Sequence, residues 1–458
     1  MTAADSAPVS QPGVIEADWT WTGERFESGL QIRVDPDGRI GAVDRLGLIP
    51  SHRLARVALL PGFVNAHSHA FQRGLRGHGE RFPAGAGSFW TWREAMYGLV
   101  ALLDARSLSR WSERAFREMR DAGITSVGEF HYLHHSTDDA DYAFDRVVLE
   151  AAARVGIRIV LLNAFYSTGG IGQALSRPQR RFRSHGRQRY WDHMDGLSAR
   201  LDGCRQSLGV VAHSIRAASV DDIASLHEES RRRGLPFHMH VEEQRREVEE
   251  CVAAYGRRPM QILNEVLRIE GDLTAVHCTH TAPDDLMRFV GSGGTVCVCP
   301  LTEANLGDGL PALVPVSFVR SQVCLGTDSN ARISLVEEMR WLEYGQRLRN
   351  EARGLLADRD GRAALTVLRA GTVGGARALG LEAGVIEKGH WADFAAIDLD
   401  HPALAECDVD NLLEAILFGA DNGVILGTCV GGQWLKRRGE ELGPEFRWAA
   451  VAGPGSET

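Results

Sequence analysis

Apolar residues in this chain come in short runs rich in Val, Ile, Leu and Phe, recurring from residue 58 to about residue 330. They are Leu59–His67, Thr125–Tyr132, Arg158–Phe165, Leu208–Ser214, Pro236–Glu243, Thr274–His280, Thr295–Leu301 and Val323–Ser329. Each has the length of a β-strand. Between most of them lie segments with helical apolar spacing, such as Ser107–Ala122, Asp221–Arg233 and Pro283–Gly291. Strand–helix alternation repeated in this way predicts an α/β fold of the (β/α)8 TIM-barrel type. Runs that are continuously apolar fit strands covered by helices on one side and by the barrel interior on the other.

The flanks are patterned differently. Residues 14–57 alternate weakly and contain the turn signal DPDG, and residues 384–437 hold short strand candidates separated by Gly-rich turns. They are expected to pair into one small β-sandwich domain built from both termini. The predicted boundaries are 1–60 and 378–458 for that domain and 61–377 for the barrel.

Composition narrows the function classes. The chain has 458 residues and a net charge of -9, so its overall field does not steer polyanions and nucleic acid is not an expected partner. No apolar run reaches membrane-spanning length. The opening MTAADSAPVSQPG lacks the basic and apolar regions of a secretory signal. Eight cysteines without a CxxC pair fit a reduced, cytoplasmic setting. Basic character is almost wholly arginine, because Lys388 and Lys436 are the only lysines.

Candidate chemistry sits where the runs end, in AHSHA, EFHYLHH, AHSIR, HMHVEE, VHCTH and GTDSN. The C-terminal ends of barrel strands are where such folds build active sites. His67 and His69, two apart on a strand, point to the same face. With His240 on the fifth run, His277 on the sixth and Asp328 on the eighth, they form a zinc-type set of imidazoles plus one carboxylate.

The order HxH, His, His, Asp, with PGFVNAHSH before it and GVIEKGHWADFAAID after the barrel, resembles the amidohydrolase superfamily. The resemblance implies that His67, His69, His240 and Asp328 ligate a metal, that His277 lies beside the attacking water, and that Glu243 shuttles protons. Glu242, its neighbour, points the other way. Binuclear members often bridge their metals with a carboxylated lysine; no lysine precedes Lys388, so one Zn2+ per subunit is expected, iron being the alternative.

AFQRG, SFWTWRE, EFHYLHH, HSIRA, LTEANLGDG and EEMRWLEYGQRLR resemble, more narrowly, the N-formimino-L-glutamate deiminases. These hydrolyse N-formimino-L-glutamate to N-formyl-L-glutamate and ammonia in histidine degradation. By this resemblance Gln72, Arg93, Tyr132, His213 and Arg216 hold the carboxylate end of a small-molecule substrate, and the protein is a homodimer. Arginine suits that task because its planar fork matches a carboxylate. The alternatives are a guanine- or adenosine-type deaminase of the same superfamily, an N-acyl amino acid amide hydrolase, or a non-catalytic metal-binding scaffold.

Other features have structural readings. Arg177–Arg189 reads as a solvated basic loop, Cys297 and Cys299 as buried small residues, His131, His134 and His135 as hydrogen-bonded loop histidines, and Trp90 and Trp92 as helix-to-barrel packing. His280 reads as a residue behind the metal ligands. Asn330 stands where the resemblance leads one to expect histidine, which bears on the support of Asp328.

Overall fold

The structure is a computed structural model describing residues 13–80, 82, 85, 87–137, 141–313, 322–437 and 440–441. The chain divides into two units. One comprises the described residues up to Phe63, Arg120–Thr125 and those from Glu382 onward; the other comprises Val64–Met119 and the described part of Ser126–Leu381.

The larger unit is built on an eight-stranded parallel sheet: β1 (Phe63–Ser68), β2 (Ile124–His131), β3 (Arg158–Phe165), β4 (Gln206–Ser214), β5 (Phe237–Val241), β6 (Leu273–His277), β7 (Thr295–Val298) and β8 (Val323–Leu325). Each strand pairs with the next in chain order. A parallel bridge between Ser68 and Asp328 joins the last strand region to the first and brings the sheet round into a barrel. Helices between the strands carry ordinary stop and start signals. Val220–Arg232 opens on Ser219, whose side chain accepts from the Asp222 amide, has Asp221 and Asp222 in its first turn, and ends with Arg231 and Arg232.

Strand β3 and the helix Pro283–Gly291 coincide with their sequence runs. Elsewhere the boundaries move for identifiable reasons. The first run divides at Gly62: Leu59–Pro61 close the strand His52–Pro61 of the other sheet, and Phe63 opens β1. The sixth and eighth runs overreach their strands, and within them His277, Cys278 and Asp328 have φ of 74°, 54° and 42°. A left-handed backbone cannot continue an extended ladder.

The smaller unit holds one continuous mixed sheet drawn from both ends of the chain. His52–Pro61 lies at its centre, parallel to Gly13–Trp21 and antiparallel to Phe394–Asp398. Ile15, Ile32, Leu54, Leu59, Phe394 and Trp434 belong to its apolar cluster. The DPDG turn joins Gln31–Val34 to Ile40–Asp44, with Gly38 at φ 83°; a side chain there would meet the Gly431 carbonyl at 3.0 Å. Among the described residues no helix is long and apolar enough to cross a membrane.

One device recurs around the strand ends of the larger unit. Buried glutamates accept backbone amides of loop or helix-start residues: Glu129 from Ala70 (2.6 Å), Glu247 from Glu242 (2.9 Å), Glu242 from Met260 (3.1 Å), Glu303 from Cys299 (2.9 Å) and Glu338 from Leu301 (2.9 Å). Each pairs an amide that secondary structure would otherwise leave without a partner.

Candidate metal centre and active-site pocket

His67 lies near the end of β1 and His69 just follows it, their rings 4.7 Å apart. His240 lies on β5 and His277 ends β6. Asp328 follows β8 and is fixed to β1 by backbone bonds, its amide donating to the His67 carbonyl (3.0 Å) and its carbonyl accepting the His69 amide (2.9 Å). Side-chain donor atoms of His67, His240, His277 and Asp328 all lie within 4.8 Å of one another. Asp328 Oδ1 is 3.2 Å from Nε2 of both His67 and His69.

These residues fit a divalent cation. His69 Nδ1 faces the Phe130 carbonyl at 2.8 Å and His240 Nδ1 faces the His213 carbonyl at 3.1 Å. A carbonyl only accepts, so each ring carries its proton on Nδ1 and turns an Nε2 lone pair inward. His240 Nε2 lies 3.3 Å from His67 Nε2, a close approach that a shared cation satisfies. Burial and neighbouring imidazoles hold His67 and His240 well below the usual histidine range, and burial lowers His69 to about 3. Neutral imidazole is the form that binds metal.

A second cluster has different geometry. Asp145 is reached by His131 Nε2 at 3.1 Å, His134 Nδ1 at 2.9 Å, His193 Nε2 at 2.8 Å and Asn163 Nδ2 at 2.5 Å. These are hydrogen-bond lengths, and the network ties the loop after β2 to its surroundings. His135 faces the Arg183 carbonyl at 2.7 Å.

The metal-binding group opens into a pocket lined in part by His69, His240, Glu243, His277 and Asp328, with Gln72, Arg93, Tyr132, His213 and Arg216 around it. Every sequence-predicted site residue is therefore in this pocket or, for His67, in the group at its base. Gln72 donates to the Tyr132 hydroxyl (2.8 Å) and Arg93 Nε to the Tyr97 hydroxyl (2.7 Å). Arg216 is buried between two carboxylates: Nη2 is 3.0 Å from Glu243 and Nε is 3.1 Å from Glu247. Burial opposes its charge, but Glu247 and Glu243 raise its pKa above the usual arginine value. Burial lifts Glu247 to about 7.

Residues 58–435 match the amidohydrolase family over most of the chain. The chain belongs to the amidohydrolase family. It is 37% identical over 434 residues to a formimidoylglutamate deiminase of Pseudomonas aeruginosa, covering 92% of each sequence. It is 25% identical over 384 residues to a 5-methylthioadenosine/S-adenosylhomocysteine deaminase of Pyrococcus abyssi, covering 83% of this chain and 82% of that one. The fold of an amidohydrolase from Brucella melitensis superimposes with a TM-score of 0.86 at 31% identity, covering 93% of this chain and 95% of that one. A zinc-bound adenosine deaminase from Xanthomonas campestris shares the fold at a TM-score of 0.79 and 22% identity, covering 94% of each chain.

This amidohydrolase pocket also holds residues that the sequence reading missed. Glu303, inside LTEANLGDG, accepts from the Cys299 amide, and its Oε1 lies 3.3 Å from His277 Nδ1. That contact turns His277 Nε2 toward Asp328 Oδ2 (3.8 Å) and Glu243 Oε1 (4.0 Å). Burial alone would lower His277, but the Glu303 bond and the charges of Glu243 and Asp328 raise it to about 10. Tyr166, one residue past β3, and Trp92, Met96, Tyr97, Phe182 and Leu306 also line the wall.

Two readings need correction. Trp92 lines the pocket, and Trp90 lies under the guanidinium of Arg246, 4.5 Å from its ring centroid. The Arg177–Arg189 segment is not simply solvated: Arg181 is buried, donating to the carbonyls of His135, Val100 and Leu103, and this seats Phe182 in the pocket. Asn330 accepts from the Thr327 hydroxyl (2.7 Å) and donates to the Ser68 hydroxyl (3.1 Å), bracing both sides of Asp328. Glu242 turns away to Arg258 and Met260. His280 donates its amide to the Glu242 carbonyl, whereas Cys297 and Cys299 are buried in an apolar cluster.

Proposed function

We propose that this protein is a metal-dependent deiminase that hydrolyses N-formimino-L-glutamate to N-formyl-L-glutamate and ammonia. The observation that carries this is the sharing of one pocket between the metal-binding group and two arginines, Arg93 and Arg216. Such a pocket suits a small dianion with a hydrolysable amidine at one end. The similarity to the formimidoylglutamate deiminase of Pseudomonas aeruginosa supports the same substrate.

His67, His69, His240 and Asp328 would hold one Zn2+ per subunit, iron being the alternative. A bound divalent ion supplies Lewis-acid activation of water. Asp328 and His277 orient the attacking water, with Glu303 holding His277 in place. Glu243 takes a proton from the attacking water and delivers it to the departing nitrogen, and Asp328 takes the remaining hydroxyl proton, so ammonia leaves from the tetrahedral centre. Gln72, Arg93, Tyr132, His213 and Arg216 hold the carboxylate end. The reading also assigns the reaction to histidine degradation and the protein to a cytoplasmic homodimer.

Metal-loaded protein incubated with N-formimino-L-glutamate should release ammonia and N-formyl-L-glutamate. Formamide and glutamate as products would mean that the other C–N bond breaks and would overturn the proposal. The second reading is an adenosine-type deaminase, favoured by the Pyrococcus abyssi relative; turnover of 5-methylthioadenosine in preference to the amidine would select it.

A further inference from the structure

Arg216 has two carboxylate partners although it carries one charge. Glu243 holds Nη2 at 3.0 Å and Glu247 holds Nε at 3.1 Å. All three side chains are buried. Glu243 therefore stands at a junction. Its Oε2 is on Arg216 while its Oε1 is 4.0 Å from His277 Nε2, at the edge of the metal-binding group. Glu247 is fixed independently, since its Oε1 accepts the Glu242 amide at 2.9 Å. It can keep Arg216 oriented whichever second anion that arginine holds.

Building on the proposed substrate, we propose that its carboxylate replaces Glu243 on Arg216, and that this exchange frees Glu243 for the proton transfer. Charge balance favours it. The buried trio has one cation against two carboxylates. Adding a third carboxylate without movement would leave excess negative charge out of water, which is expensive. The substrate also brings a cationic formimino group. With the exchange, its carboxylate pairs with Arg216 and Glu243 pairs with its amidinium, so each buried charge keeps a partner. Glu247 is then a positioning residue for Arg216. The carboxylate acts on the chemical step as well as on binding, because binding energy at a remote group readies the reacting centre. An amidine without it leaves Glu243 held on Arg216.

The test compares metal-loaded protein on N-formimino-L-glutamate and on N-propylformamidine, which has the reacting group and no carboxylate. The truncated amidine should lose about 100-fold in kcat, the scale of a missing general acid, in addition to its rise in KM. Free glutarate should restore part of that kcat, and the Arg216→Met variant should not respond to glutarate. A Glu247→Gln variant should raise KM for the full substrate while leaving KM for the truncated amidine unchanged. A crystal structure with N-formyl-L-glutamate should place a ligand carboxylate on Arg216 Nη2 with Glu243 moved off it. Equal kcat for both amidines, or Glu243 still on Arg216 in that complex, would overturn the exchange while leaving the proposed reaction intact. No turnover of N-formimino-L-glutamate would overturn the proposed reaction, and the exchange with it.

Discussion

His69 and His240 each face a backbone carbonyl with Nδ1, so their metal-facing nitrogen is decided before any ion arrives. Glu303 does the corresponding work for His277. Glu303→Gln keeps an acceptor for the Cys299 amide but removes the charge behind the imidazole. It should lower kcat about 10–100-fold, the usual scale for such supporting partners, with little change in KM; steady-state kinetics on full-length variant protein would check this. Glu243→Gln should lower kcat about 100-fold or more while metal content stays at the wild-type level, and unchanged turnover would remove Glu243 from the proton path. The candidate ligand residues were legible because histidine and aspartate at the ends of apolar runs have few other reasons to be there. Glu303 was not, because a glutamate in a helix-start sequence looks like an ordinary first-turn acid. Tyr166 and Phe182 carry no sequence signal that sets them apart from core aromatics, since only the fold reveals which side of the wall they face.

At the scale of elements, strand existence and order were readable because barrel strands are apolar on both faces. Their ends were not. His277, Asp328 and Asn330 are left-handed, and such positions store about 1–3 kcal/mol each, a property of backbone geometry with no signature in hydrophobic spacing. The Arg177–Arg189 segment misled for a related reason: a charge run says nothing about which arginine finds buried carbonyls. Asp145 shows how loop and helix are joined. Burial alone would push its carboxyl up, but His134 and the hydrogen bonds from His131, His134 and His193 hold it well below the usual range. A carboxyl with a depressed folded-state pKa stabilises the fold above its unfolded pKa, and that stability is lost as pH falls through the folded value. Asp145→Asn should therefore cost about 3–5 kcal/mol near neutrality, and the gap in Tm from wild type should narrow as the pH is taken below about 4. A gap that stays constant from pH 7 to 3 would show that Asp145 titrates alike in both states.

On the scale of the whole molecule, four strands of the barrel contribute to one small group of donors, so a metal held there would tie together distant parts of the chain. His67, His69, His240 and Asp328 span more than half of the sequence. Removing the metal with a chelator should lower stability by about 4 kcal/mol where free metal had exceeded Kd a thousandfold, and re-adding zinc should restore Tm. Calorimetry on chelated and reloaded protein would measure it; an unchanged Tm would mean that the ion contributes nothing to the fold.

The glutamates that grip loop and helix-start amides bear on something else, the exchange of those amides with solvent deuterium. Amides in exposed loops normally exchange through shallow local openings. Here Ala70, Glu242, Met260, Cys299 and Leu301 each donate to a buried glutamate side chain, so releasing one leaves a buried polar group without its partner. Their deuterium uptake should be as slow as that of the barrel strands they follow. The rim around the pocket would then behave, on the timescale of minutes to hours, as part of the barrel wall.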